Sequence, residues 1–318
     1  MKNSPKISII IPVYNRAIIV PETLNSIISQ IFIDWECILV DDHSTDNSLA
    51  VLYEFQKKDV RFKVFRRPSS LKKGANSCRN FGFLQARGTC IKWFDSDDIM
   101  LPNHLETSYK TLIENNLDFV VTDTLNFNHD TGDFHGKPYD FDKMEAVISA
   151  ENFALHQTSW ITDDFLGTRQ IVEKIKFNEN ITTDGDEYNF FIRLLNQQFK
   201  GVFINQILTN RRIHINSLTS LNHEKTENYL YKIANIKFHT ANDLVVFNNN
   251  KLIRWFLSGY MQYAFDIAMR NGKIPFLLPA FKLICNYYSF IKGIVFLVAL
   301  GCAKYFNKGY YIMKYARK

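Results

Sequence analysis

The chain has 318 residues, of which 46% are hydrophobic and 22% charged, and a formal net charge of +6 at pH 7. This size and composition exclude a disordered chain and fit one large domain or two small ones. Its five cysteines form no CxxC pair, which favours reduced thiols in a cytosol-like compartment over a disulfide framework. The N-terminal apolar run is interrupted by Pro12 and Asn15 and is too short for a secretory signal peptide.

Apolar runs and amphipathic segments alternate over the first 105 residues. The apolar runs are short, rich in β-branched residues and almost free of polar side chains, which predicts strands buried on both faces, as in a parallel sheet. They cover residues 7–13, 35–40, 62–65 and 91–94. The segments between them have helical periodicity, with Leu24 and Ile27 on one side of the first. This alternation predicts right-handed βαβ crossovers and an open, doubly wound, mostly parallel sheet of the α/β class.

Three of the predicted strands end in polar residues, where ligands bind in open α/β sheets. Neither GxGxxG nor a P-loop pattern follows the first strand, so no dinucleotide cofactor is expected. The phosphates of a bound nucleotide would therefore need a binding group other than a glycine-rich loop. After the fourth strand come Asp95, Asp97 and Asp98, which repel one another unless a cation neutralises them. Carboxylate oxygens suit Mg²⁺ or Mn²⁺. The alternative is a solvated acidic turn in which Asp98 caps the next helix.

Four segments of this half resemble the motifs of one known family, the family 2 glycosyltransferases with the GT-A (Rossmann-like) fold. The segments are residues 8–16 (SIIIPVYNR), 39–46 (LVDDHSTD), 74–80 (GANSCRN) and 94–98 (FDSDD, with the DXD motif). They occur in the order and approximate spacing of the family. The resemblance is thinner after residue 105 but continues to Thr219. His43 stands where the family most often has glycine, and Phe94 where it usually has an aliphatic residue.

The resemblance implies a set of contacts to a nucleotide-sugar donor. The donor-binding residues would be Pro12, Tyr14 and Arg16 around the base, Asp41 and Asp42 on the base or ribose, Arg79 on the base or diphosphate, Asp95 on the ribose or the metal, and Ser96. Asp97 would be the direct metal ligand, with Asp95 and His214 beside it and Mn²⁺ or Mg²⁺ as the ion. From the residues alone, Asp42 could instead cap a helix, and Arg79 could form a surface salt bridge.

Residues 106–220 are predicted to form the acceptor-binding half of the same domain. Trp160 could stack on an acceptor sugar, although an aromatic residue there is more often part of the core. An inverting transfer needs a carboxylate that takes the proton of the acceptor hydroxyl. The resemblance puts Glu187 at the position of that base, with Asp186 before it in an order reversed from the family, so Asp186 or Asp184 could serve instead. An acidic first helical turn stabilised by the helix dipole is the alternative.

Residues 221–318 are predicted to form a helical, basic C-terminal region. From residue 251 onward there are 11 Lys and Arg against one acidic residue, a net +10, whereas the first 250 residues carry 27 basic and 31 acidic residues, a net −4. Residues 293–303 carry no charge but fall short of the about 20 apolar residues of a membrane span. With the flanking Lys292 and Lys304 and nearby tyrosines, they predict contact with an anionic membrane surface. A helical cap on the catalytic domain or on a second subunit is the alternative, and nucleic acid is not expected.

The resemblance, together with these patterns, implies a metal-dependent inverting glycosyltransferase of the hexosyltransferase type. It would transfer a sugar from a nucleotide-sugar, with UDP as the expected nucleotide, to a saccharide or lipid-linked acceptor in surface polysaccharide biosynthesis. The expected location is cytoplasmic and peripheral, on the inner face of the cell membrane, and a homo-oligomer is left open. The alternatives are a sugar-1-phosphate nucleotidylyltransferase, for which a glycine-rich opening loop with a lysine is lacking, and a catalytically silent sugar-nucleotide-binding protein.

Overall fold

The computed structural model describes residues 4–181, 185–214 and 226–318. Its chain divides into two compact units. The first comprises Met1–Thr182 and Phe190–Ser220, and the second comprises Thr183–Asn189 and Leu221–Lys318. The predicted division of the first unit into residues 1–105 and 106–220 stays a prediction.

A mixed sheet forms the centre of the first unit. Its strands within the described residues are β1 (Ile7–Val13), β2 (Trp35–Asp41), β3 (Phe62–Arg66), β4 (Cys90–Trp93), β5 (Ile99–Met100), β6 (Phe119–Asn128), β7 (Phe165–Thr168) and β8 (Gly201–Ile213). They are ordered β3-β2-β1-β4-β7-β6-β8-β5. Strands β1 to β4 pair in parallel, whereas β7 runs antiparallel to both β4 and β6. The α/β class and the parallel first half predicted from the sequence are confirmed.

The helices of the first unit cover the sheet and connect its strands. They are α1 (Val20–Ile28), α2 (Ser48–Lys58), α3 (Ala75–Gln85), α4 (His104–Glu114), α5 (Ala150–Ala154) and α6 (Arg169–Val172), with a 3₁₀ turn at Thr162–Asp164. Helix α7 (Asp186–Leu195) begins in the second unit and continues into the first. Helix α3 lies so close to the sheet that a Cβ on Gly82 would be 2.6 Å from Ile10 Cγ2 and 3.2 Å from Val40 Cγ2. Only glycine fits there without a shift of the sheet.

The core explains why the first strands lack the alternation of a half-exposed sheet. All of β2 and all but Pro12 of β1 are buried, so both faces of these strands select apolar side chains. The buried polar exceptions are Ser8 of β1 and Glu36 and Asp41 of β2. Glu36 accepts hydrogen bonds from Ser8 Oγ at 2.8 Å and from the backbone N–H of Arg87 at 2.6 Å. These bonds tie β1 and β2 to the turn that leads into β4.

The second unit is helical in its described residues. Its helices are α8 (Glu227–Asp243), α9 (Asn250–Met269), α10 (Leu277–Tyr287), α11 (Phe290–Phe306) and α12 (Tyr310–Arg317), with a 3₁₀ turn at Leu244–Phe247. Helix α9 is the most buried of them, and Tyr260 on it donates a hydrogen bond to the Pro275 carbonyl at 2.5 Å. The mainly helical C-terminal region is therefore confirmed. Among the described residues, none of the helices combines the length and the apolar character that crossing a bilayer requires.

Candidate functional site

The turns after β1 and β2 are locked together at the carboxyl edge of the sheet. Asn15 has a φ of 51°, its N–H donates to Ser44 Oγ at 3.0 Å, and its side-chain oxygen accepts from the Thr45 N–H at 2.8 Å. His43 has a φ of 59°, in the left-handed region that glycine adopts most easily, and its Nε2 lies 2.8 Å from the Arg67 carbonyl. The positive φ explains why glycine is common at this position in the family, and His43 adopts the same backbone conformation.

Asp41 and Asp42 are buried and already have partners. Asp41 accepts from the Ser44 N–H at 3.2 Å. Asp42 forms an ion pair with the buried Arg67 and accepts from the Gly74 N–H at 2.9 Å. These contacts connect the end of β2 to β3 and to the start of α3. They give Asp42 a structural role, and the nucleotide contact implied for Asp41 and Asp42 stays a prediction.

Three carboxylates lie close together next to the end of β4. One oxygen each of Asp95, Asp98 and Asp163 lies within 4.8 Å of the others. Asp163 comes from the turn before β7, and its Oδ1 accepts from the Asp95 N–H at 2.9 Å. Burial, followed by the neighbouring carboxylates, raises the pKa of Asp98 and of Asp163 well above the usual range. We refer to these three residues as the aspartate cluster.

The aspartate cluster meets the requirements of a divalent-cation site. Asp163 Oδ2 is buried without a hydrogen-bond partner, and the side chain of Asp95 is 43% exposed, which leaves an approach from solvent. Three carboxylate oxygens are ligands that Mg²⁺ and Mn²⁺ prefer, and a cation would relieve their mutual repulsion. Arg79 of α3 donates to Asp95 Oδ1 at 2.8 Å, so this predicted donor-binding arginine lies at the cluster.

Asp97 belongs to a second group of side chains. His214 Nε2 lies 3.0 Å from Asp97 Oδ2, and an Arg16 guanidinium nitrogen lies 3.4 Å from the same oxygen. Burial acts to raise the pKa of Asp97, but the hydrogen bond with His214 and the charge of Arg16 outweigh it and leave that pKa lowered. The structure therefore brings together Asp97, His214 and Arg16, all three singled out from the sequence. Their roles as metal or donor ligands stay predictions.

Arg212 holds the backbone of this turn in place. Its N–H donates to Asp98 Oδ1 at 2.8 Å, its Nε donates to the Asp97 carbonyl at 2.8 Å, and its guanidinium forms an ion pair with Glu22 of α1. The arginine therefore connects β8 to both carboxylate groups. Thr23, also on α1, donates to the Ser96 carbonyl at 3.2 Å.

Lys92 contacts Asp163 of the aspartate cluster. This lysine was not identified from the sequence. It is fully buried in β4, its Nζ is 2.7 Å from His104 Nε2, and it donates to the Asp163 carbonyl. Asp163 was missed as well. The only sequence signal for either residue is a charge inside or next to an apolar run, as in Cys90–Trp93 and before Phe165–Thr168.

The remaining predicted residues lie at the rim of the site, in the core or in the second unit. Tyr14 is partly exposed, with Lys73 Nζ 3.8 Å from its ring centroid. Trp160 is 2% exposed and packs against the rings of Phe153 and Phe191. This favours the core interpretation, and its acceptor contact stays a prediction.

Asp186 and Glu187 form the first turn of α7 in the second unit. The Glu187 N–H donates to Asp186 Oδ1 at 2.9 Å. Asp184 lies outside the described residues. The role of either acid as the catalytic base stays a prediction.

Comparison with known proteins assigns the chain to a family. The model of glycosyl transferase family 2 matches residues 8–169, just over half of the chain. Glycosyltransferase GlyG of Streptococcus pneumoniae serotype 4 is 32% identical over 194 residues, which are 58% of this chain and 62% of GlyG. The GalNAc(5)-diNAcBac-PP-undecaprenol beta-1,3-glucosyltransferase of Campylobacter jejuni is 38% identical over 103 residues, 32% of this chain and 33% of that enzyme. The chain thus spans less than two thirds of these two relatives.

Among solved structures, S. aureus TarS 1-349 in complex with UDP-GlcNAc is similar with a TM-score of 0.68 and 16% identity. The match covers 98% of this chain and 89% of that one. This likeness concerns the fold, which is GT-A, as the sequence predicted. The chain belongs to glycosyl transferase family 2.

Proposed function

We propose that the chain transfers a sugar from a UDP-sugar to a saccharide or lipid-linked acceptor in the synthesis of a surface glycan, with inversion and with a divalent cation. The observation that carries the proposal is the aspartate cluster at the carboxyl end of β4, with two arginines beside its turn. The UDP-sugar is supported by the ligand of the TarS complex. The lipid-linked acceptor is supported by the name of the Campylobacter relative.

The cation, Mn²⁺ or Mg²⁺, would be held by Asp95 and Asp97. Asp98 and Asp163 lie beside Asp95, and His214 lies beside Asp97. When bound, it would supply positive charge at the diphosphate as the bond to the sugar breaks. Arg16 and Arg79 are cationic groups of the chain at the same place. They would orient the two phosphoryl groups, since guanidinium forks match phosphate oxygens.

The proton of the acceptor hydroxyl would go to a carboxylate of the first turn of α7, Glu187 or Asp186. As the proton leaves, the acceptor oxygen forms a bond to the anomeric carbon of the sugar, and the bond between that carbon and the nucleoside diphosphate breaks. In this scheme the carboxylate becomes protonated and the diphosphate carries away the bonding electron pair. The chain's contribution is to orient the hydroxyl in line with the leaving group.

We also propose that the enzyme works at the inner face of the cell membrane, with its C-terminal region in contact with the membrane surface. The excess of basic over acidic residues after position 251 supports this, because anionic lipid attracts such segments. A membrane-side location would also suit a lipid-linked acceptor.

The test is a transfer assay on the purified chain with a panel of UDP-sugars and acceptors, with Mn²⁺ or with chelator. We expect metal-dependent, acceptor-dependent release of UDP that is lost in Asp97→Ala. The control is Asp34→Ala, since Asp34 is exposed just before β2, at the opposite edge of the sheet, and this variant should keep the activity. Release of pyrophosphate from UTP and a sugar 1-phosphate would instead identify a nucleotidylyltransferase. Donor binding without turnover on any acceptor would identify a silent binding protein.

A further inference from the structure

Helix α11 has an apolar buried face. The buried residues are Gly293, Phe296, Ala299, Leu300 and Ala303. The ring of Phe296 lies 6.3 Å from that of Tyr260 on α9, and a Cβ on Gly293 would lie 2.5 Å from Cys285 Sγ on α10. This face explains how α11 packs within the second unit.

The opposite face of α11 is also apolar, although it is exposed to solvent. We call this set the α11 outer face: Phe290, Ile291, Ile294, Leu297, Val298, Gly301 and Tyr305. Its six larger side chains are each 36–76% exposed. They recur at intervals of three and four residues, so they lie along one side of the helix over about 22 Å. A surface helix of a globular protein normally has polar residues on that side.

A continuous apolar strip of this length indicates a binding surface, whereas scattered apolar residues do not. The charges around it indicate the partner. Lys304 lies in the last turn of α11, and Lys308, Lys314 and Lys318 follow, all exposed. Lys292 donates to the Tyr315 carbonyl of α12 at 2.5 Å, and its Nζ lies 3.5 Å from the Tyr315 ring centroid. Helix α12 therefore lies alongside the first half of α11 and brings further exposed tyrosines and lysines to it.

This combination fits the surface of an anionic bilayer. Apolar side chains enter the boundary between headgroups and acyl chains, while lysines and tyrosines remain at the headgroups. A second copy of the chain fits less well, because residues 251–318 carry a net +10 in each copy and like charges would face each other. Helix α11, with 17 residues, is shorter than a membrane span, so it would lie in the plane of the membrane.

We infer that the α11 outer face is inserted into the headgroup region of an anionic membrane and orients the enzyme on that surface. The inference rests on the proposed membrane-side function and adds the surface that makes the contact. Sedimentation of the full chain with vesicles tests it, using phosphatidylcholine alone or with phosphatidylglycerol as the anionic lipid. We expect binding to the anionic vesicles that weakens in high salt, because the lysine contribution is screened.

The deciding variant is the double substitution Ile294→Ser/Val298→Ser. Each change removes an apolar side chain whose burial contributes a factor of about ten or more, so we expect the double variant to lose vesicle affinity by about a hundredfold or more. The control is Val246→Ser in the 3₁₀ turn of the same unit, which is 77% exposed and outside the α11 outer face. Both variants should keep the thermal midpoint of the wild type, since none of the three side chains is buried.

Three outcomes would overturn the inference. One is that the wild-type chain does not sediment with anionic vesicles. Another is that the double variant binds as tightly as Val246→Ser. The third is self-association without vesicles, seen by light scattering and abolished by the double variant, which would make the face an interface between copies. Transfer to a soluble acceptor is measured separately and should survive in the double variant. Its absence in the wild type would refute the proposed function and leave the vesicle result standing.

Discussion

The variant Asp163→Asn tests whether the aspartate cluster is built for a cation at the expense of stability. Asparagine has nearly the same size, keeps an Oδ1 that can accept from the Asp95 N–H, and places an NH₂ group where the unpartnered Oδ2 now lies. That amide could donate to Asp98. The substitution therefore removes one ionisable carboxyl group while it preserves the packing between β4 and β7.

The expected magnitude follows from the separation of the carboxylates. Two unit charges 4.8 Å apart repel each other by about 3.5 kcal/mol at an effective dielectric constant of about 20. Protonation already relieves part of this repulsion, because the pKa of Asp98 and of Asp163 is raised. We expect Asp163→Asn to increase the free energy of unfolding of the metal-free chain by about 1–3 kcal/mol. We also expect it to weaken Mn²⁺ binding by at least about tenfold.

Urea unfolding in the presence of chelator measures the first effect, and the rise of the thermal midpoint with added Mn²⁺ measures the second. Asp164→Asn is the matched control. Asp164 is equally buried but accepts from Thr124 Oγ1 at 2.6 Å, outside the aspartate cluster, so this variant should keep the Mn²⁺ response. The reasoning is refuted if Asp163→Asn destabilises the metal-free chain and responds to Mn²⁺ like the wild type.

Two further predictions concern stability. Burial lowers the pKa of Lys237 on α8 to about 8 from an ordinary 10.5, and its Nζ lies 4.0 Å from the Trp255 ring centroid. Between pH 8 and 10.5 Lys237 thus binds fewer protons in the folded than in the unfolded chain, so this residue should contribute a rise in stability with pH of up to about 3 kcal/mol. Lys237→Met should remove that contribution, so that between pH 7.5 and 10 the urea-unfolding free energy rises less in the variant than in the wild type; equal changes in both proteins would contradict it. Gly82→Ala should cost about 1–3 kcal/mol because its Cβ meets Ile10. In Gly301→Ala the added Cβ has open space around it, so this variant should gain about 0.5–1 kcal/mol of helix stability. Thermal unfolding should therefore give a lower midpoint for Gly82→Ala and a higher midpoint for Gly301→Ala, and midpoints that shift in the same direction would contradict the reasoning.

The sequence predicted the parallel half of the sheet because its signals there are local. Buried strands appear as apolar runs, and the polar residues that follow them mark the carboxyl edge. The contact between Asp97 and His214 was anticipated only through the family resemblance, since 117 positions separate the two residues. No local periodicity relates them.

The position of Asp163 could not be predicted, for a physical reason. Strand β7 has four residues and runs antiparallel between β4 and β6, and a run so short does not specify its partner or its direction. The same limit applies to β5, with two residues. Trp160 shows a different limit, because an aromatic side chain in a core and one on a sugar look identical in the sequence, and only burial separates them.

The place of β4 in the sheet restricts how the chain can be divided. A fragment that ends near residue 105 would carry all four family motifs, yet β4 would keep β1 and lose β7. The β4 backbone groups that now face β7 would then form an open edge, which recruits strands from other molecules. The segment that holds the family motifs is therefore a poor independent unit, and its solubility depends on a strand that enters the chain some 60 residues later.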